Sequence, residues 1–174
     1  MSFELLLEPL RRVPLFQGLR PIQIAEIARR AERVVFQAGD TIIQEDRAGD
    51  AAFLIISGEA VRTRGPVPSE PVPIGSLLGE MAMLVETTYT STVVCTNSVR
   101  VLKLTRENLH DLMLTDLRLA EHFVAKLSYR LRAFADDLKR VDQALAAESP
   151  PVATMLPARI PTLQPVDASF QSPL

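Results

Sequence analysis

What this sequence lacks narrows the reading first. Its 174 residues include a single cysteine, Cys95, so no internal disulfide can form, and a reducing compartment fits. No stretch approaches the roughly 18 consecutive apolar residues of a membrane span. The N-terminal apolar run covers only Leu5 to Leu7, between Glu4 and Glu8, and is no signal peptide. A soluble, cytoplasmic protein is expected. Basic excess is missing too. The net charge of −2 argues against a chain that coats nucleic acid. There is no P-loop, nucleophile elbow or paired-carboxylate motif. His110 and His122 lie in helical sequence without a Cys or carboxylate cluster at metal-ligand spacing. The chain is therefore read as a non-enzyme with no metal. One local absence matters most: no Lys or Arg occurs between Arg64 and Arg100.

What is present is a chain with 47% apolar residues, enough for one domain with a real core. Leu5, Leu6, Pro9 and Leu10 suggest a short helix ending near Pro14. Pro21 opens a second, to Ala31, with Ile24, Ile27, Ala28 and Ala31 at helical spacing. These make an N-terminal helical segment, 1–32. From Arg33 the texture changes to short runs rich in β-branched and aromatic residues: 33–36, 41–44, 51–57, 60–64, 89–95 and 99–104. Turn residues separate them, as in Ala38-Gly39-Asp40, Ala48-Gly49-Asp50 and Ser57-Gly58-Glu59. Such spacing predicts a small sandwich or barrel over 33–105. The segment Gly65 to Pro73 has four prolines in nine residues and is expected as a surface loop.

Thr105 is positioned to cap a helix with Leu109, Leu112 and Met113 on one face. Together with the long Gly- and Pro-free stretch from Asp116 to about Ala147, it makes a C-terminal helical region, 106–148. Residues 149–174 are rich in proline and lack periodicity, which predicts a disordered or extended tail. Cys95, inside a strand, reads as a small buried hydrophobe.

The glycine punctuation carries a resemblance. Phe36-Gln37-Ala38-Gly39-Asp40, Gly49-Asp50, Ala52-Phe53-Leu54-Ile55, Ser57-Gly58-Glu59 and Leu78-Gly79-Glu80-Met81-Ala82-Met83-Leu84 together resemble the cyclic-nucleotide-binding domain family of catabolite-activator-type regulators, cyclic-nucleotide-dependent kinases and gated channels. The resemblance covers roughly residues 10 to 145. It implies an α+β fold: a jelly-roll β-roll (double-stranded β-helix) flanked by N-terminal helices and a long C-terminal helix. Gly39, Gly49 and Gly58 are read as serving their turns alone.

In such a domain Gly79, Glu80, Met81 and Ala82 would open a phosphate-binding cassette. A short helix over about Gly79 to Leu84 would offer backbone N–H groups to an anion, and Glu80 would accept from a ribose hydroxyl. The alternative reading of Glu80 is a first-turn carboxylate favoured by the helix dipole. The family's arginine, which pairs with the phosphate, is replaced by Tyr89, with Thr90, Ser91 and Thr92 completing the motif. A charge-assisted hydrogen bond contributes about 1.5–3 kcal/mol, so its loss weakens anion binding roughly ten- to a hundredfold. Three expectations stay open: cyclic AMP or cyclic GMP as ligand, a different small ligand, or none.

Leu117, Val124, Leu131, Leu138 and Leu145 recur every seven residues, with Ala120, Leu127, Phe134 and Val141 as a second seam. This heptad pattern argues for a coiled coil. It resembles the dimer helix of the catabolite-activator type, implying a homodimer through Leu117, Val124, Leu127, Leu131, Phe134 and Leu138. Arg130 is read as part of a mixed-sign solvated rim. No winged helix-turn-helix follows in this sequence, so no nucleic-acid partner is expected. The leading expectation is a stand-alone regulatory sensor that signals to a separate protein through its dimer helix or tail. The alternative is an adaptor or structural subunit whose site no longer binds.

Overall fold

The computed structural model describes residues 4–148, with side-chain surroundings for residues 7–145. The reading of the 149–174 tail lies outside the described residues. Two compact units divide after Arg130.

The first unit begins with α1 (Glu4–Arg12), a single 3-10 turn (Pro14–Phe16) and α2 (Pro21–Arg30). Pro21 suits the first helical position, where its missing N–H would be unpaired anyway. The strands follow: β1 (Glu32–Phe36), β2 (Thr41–Ile43), β3 (Ala48–Gly49), β4 (Ala51–Ser57), β5 (Ala60–Arg64), β6 (Val67–Val72), β7 (Leu77–Leu78), β8 (Thr87–Thr88), β9 (Thr92–Cys95) and β10 (Val99–Thr105). They pair antiparallel into two four-stranded sheets, ordered β1-β10-β4-β7 and β2-β9-β5-β6, with β3 and β8 as a small two-stranded sheet. The helices α3 (Arg106–Thr115) and α4 (Leu117–Glu148) complete the order.

Strands β4 and β10 explain how the layers hold together. Their side chains alternate between two cores, as the period of two requires. Ala52, Leu54, Leu102 and Leu104 pack under the helices with Phe16, Ile27, Leu109, Leu119 and Phe123. Ala51, Phe53, Ile55, Val99 and Val101 point into the roll with Ile43, Leu78, Val93 and Cys95. Burial on both faces is why β4 reads as a near-continuous apolar run. Cys95 is 2% exposed, a buried thiol as expected.

Several local expectations are corrected. Gly65 to Pro73 is not a loop: Val67–Val72 forms β6, paired antiparallel to β5. It sits at a sheet edge, where one row of unmade hydrogen bonds faces outward and proline is tolerated. The run 89–95 is not one strand. Tyr89–Ser91 interrupts it between β8 and β9, because the Tyr89 backbone exchanges hydrogen bonds with a turn instead. Its N–H donates to the Arg47 carbonyl and its carbonyl accepts from the Asp46 N–H, both at 2.9 Å.

Helix α3 starts as expected, with the Thr105 hydroxyl accepting from the Asn108 N–H at 3.2 Å. Asp116 then caps α4. It accepts from the N–H groups of Arg118 (3.0 Å) and Leu119 (3.2 Å) and from the Gln23 amide at 2.8 Å. The Gln23 hydrogen bond is the main reason the Asp116 carboxyl lies below its usual value. The start of α4 is fixed to the roll by Leu119 and Phe123, 2% and 1% exposed. Phe123 meets Phe16 edge-on at 6.2 Å, a favoured aromatic geometry. This i, i+4 pair lies off the heptad seams, so the heptad reading missed it.

Leu117 and Val124 are 72% and 61% exposed, whereas Leu127 is half-buried against the helical core. At that level the second seam faces inward. In the second unit, Leu131, Phe134, Leu138, Val141 and Leu145 are all exposed.

Candidate functional site

The segment from Leu78 to Val85 leaves β7 and turns back toward β8. Gly79 has φ +66, a left-handed conformation that glycine adopts without penalty. The expected helix over Gly79–Leu84 does not form. In its place are linked turns: the Ala82 N–H donates to the Gly79 carbonyl at 2.9 Å, and those of Leu84 and Val85 donate to the Met81 carbonyl at 3.0 and 2.9 Å. Without a regular helix, the anion-attracting helix start that the sequence suggested is missing.

Ala82 and Met83 are buried, and Met81 is half-buried. Glu80 is half-buried and pairs with the Arg130 guanidinium of α4. Arg130 is therefore not part of a solvated rim. It lies in the same unit as the roll and reaches the turn.

Tyr89 is the largest departure from the sequence reading. It is 8% exposed and belongs to the core between the sheets. Its hydroxyl donates to the Ala51 carbonyl at 3.1 Å. Its ring lies against two glycines. A Cβ on Gly79 would stand 2.6 Å from a ring carbon, and one on Gly49 would stand 3.0 Å from the ring and 2.5 Å from the Ala82 methyl. Gly49 is thus small because side chains crowd it, not because its turn demands a positive φ. Burial pushes the Tyr89 hydroxyl above its ordinary 10.0, and the Asp50 carboxylate adds to the effect.

The neighbouring hydroxyls diverge. Thr90 is exposed and Ser91 is 7% exposed. The Thr92 hydroxyl accepts from the Glu45 N–H at 3.0 Å. The structure thus brings Gly79, Ala82 and Tyr89 into one cluster and leaves Glu80 beside Arg130.

A cation does reach this region, from outside the motif. Arg106 opens α3, and its Nη1 donates to the carbonyls of Gly49 (3.1 Å), Ala82 (3.2 Å) and Val85 (3.0 Å). Nothing in the sequence marked Arg106, because its partners are backbone carbonyls of distant segments. The histidines also serve the scaffold. His110 Nε2 lies 3.0 Å from the Leu84 carbonyl and His122 Nε2 lies 2.9 Å from that of Leu15. No group of three or more metal-ligating side chains occurs among the described residues. No helix among them is long and apolar enough to cross a membrane.

The site thus lies in an antiparallel roll flanked by helices, with its Gly-Glu turn paired to Arg130 of α4. The comparisons make this specific. Residues 33–116 match the family model of the cyclic nucleotide-binding domain, and this segment belongs to that family.

A cAMP-dependent protein kinase regulatory subunit of Aspergillus fumigatus is 35% identical over 106 residues, covering 60% of this chain and 26% of the subunit. The CRP-like cAMP-activated global transcriptional regulator of Mycobacterium tuberculosis is 27% identical over 136 residues, covering 75% of this chain and 61% of the regulator. The chain thus spans about a quarter of the first relative's length and under two thirds of the second's. Among solved structures, the N-terminal domain of a transcriptional regulator from Streptomyces coelicolor shares the fold. Its TM-score is 0.65 at 24% identity, covering 75% of this chain and 94% of that one. These relatives are regulatory proteins.

Proposed function

We propose that this chain is a non-catalytic, cytoplasmic regulatory module that passes the state of its Gly79–Glu80 turn to a separate protein through α4 or the 149–174 segment. The observation that carries this reading is the Glu80–Arg130 pair, which couples the turn to α4 through side chains of opposite charge. A half-exposed pair of this kind contributes about 1 kcal/mol or less. A ligand hydroxyl can therefore take over the Glu80 acceptor at small cost and free Arg130. The relatives named for cAMP make cyclic AMP the first ligand to try and cyclic GMP the second. Homodimerisation fits the exposed Leu117, Val124, Leu131, Phe134 and Leu138. Leu127 contributes less, since it packs on its own roll.

The test is calorimetry of the full chain with cyclic AMP, cyclic GMP and cyclic dinucleotides. Weak, saturable heat that shrinks in Glu80→Gln supports the ligand-responsive reading. No heat at millimolar concentration of any of them removes it. A second reading, an adaptor that binds no nucleotide, is favoured by the inward Tyr89 ring. Capture of a partner that depends on residues 149–174 and ignores nucleotide would support it.

A further inference from the structure

The ring of Tyr89 does more than replace a charge. It lies against Gly49 and Gly79 beside the turn: a Cβ on Gly79 would collide with the ring, and one on Gly49 would crowd it. Its one donor is spent on the Ala51 carbonyl. Its backbone is anchored on both sides to the Asp46-Arg47 turn, and swinging the ring out would break the Ala51 hydrogen bond and its packing in the core. Arg106 joins Gly49 to Ala82 and Val85.

We propose that Tyr89 is the resident occupant of this site: its phenol, together with Arg106, braces the Gly79–Val85 turn in place of a bound molecule, and the cradle it occupies is selective for a phenol rather than an anion. The turn is then ordered with nothing bound. A ligand that reaches it engages Glu80 from the solvent side or has to expel the ring. This does not depend on whether a nucleotide binds. Wild-type calorimetry reads that question, and the experiment below reads this one.

Truncation to Tyr89→Ala opens a space lined by glycine, alanine and a carbonyl, and cavities of this size in protein cores take up small aromatic molecules. The probe is p-cresol, the side chain of tyrosine as a free molecule, with toluene as the control lacking the hydroxyl. In Tyr89→Ala the amides of 79–85 are expected to exchange roughly a hundredfold faster than in the wild type. Millimolar p-cresol should restore their protection and raise Tm, toluene should do so less, and neither should affect the wild type.

Unchanged exchange in Tyr89→Ala overturns the brace. Rescue by inorganic phosphate but not p-cresol overturns the phenol class, as does equal rescue by toluene. If Tyr89→Ala does not fold, Tyr89→Phe keeps the ring and loses only the Ala51 bond. Exchange of the turn is then expected about fivefold faster, and an unchanged rate would overturn the role of the hydroxyl.

Discussion

The Gly79–Val85 turn and the exposed seam of α4 use their side chains in opposite ways. In the turn, the chain satisfies itself. A tyrosine fills the space, an arginine takes three carbonyls, and a glutamate is paired. Along α4, Leu131, Phe134 and Leu138 are 65%, 59% and 67% exposed. Large apolar side chains repeated at heptad spacing are costly to leave in water. The region marked by its motif has its polar groups largely paired within the chain, whereas the heptad seam leaves its large apolar side chains exposed.

The largest expected effect lies at the buried start of α4. Phe123→Ala removes a fully buried ring that docks the start of α4, and chemical denaturation should show a loss of about 3–5 kcal/mol. On the seam, Leu131→Asp and Leu138→Asp should abolish dimerisation in light scattering while changing monomer stability by no more than about 0.5 kcal/mol. A dimer that survives both changes would remove the seam from the account.

Within the turn, Arg106→Gln should cost about 1–3 kcal/mol, since three carbonyls lose a charged donor, with Arg106→Lys recovering part of it. Tyr89→Phe should cost about 1 kcal/mol by the same denaturation assay.

The smallest effect is that of pH. Burial raises the Cys95 thiol above 9.0 and the Tyr89 hydroxyl above 10.0. The folded state holds these protons more tightly than the unfolded chain. Their contribution is therefore complete below about pH 9 and is lost as pH rises through the folded values. A Cys95→Ala, Tyr89→Phe double variant should show a flatter decline above pH 9 in thermal melts.

The roll was readable because its signals are local. Glycines at turns, β-branched runs and the Thr105 cap each act within a few residues. The edge strand β6 was missed because proline content argues against strands in general, while only sheet position tells which strands tolerate it. Leu119 and Phe123 were missed because they lie just beside the seven-residue seams, on the flank where Leu127 also turns inward. Arg130 looked like a surface charge because its partner lies fifty positions away.

The family frame, the glycine-marked turns, the buried Cys95 and the lack of a basic residue in the motif were all legible along the chain. Each of these follows from residue type and spacing. The role of Tyr89 emerges on folding. Whether its hydroxyl faces solvent or the Ala51 carbonyl depends on Gly49 and Gly79 both leaving room for its ring. Contacts between residues so far apart in the chain leave no mark on local spacing.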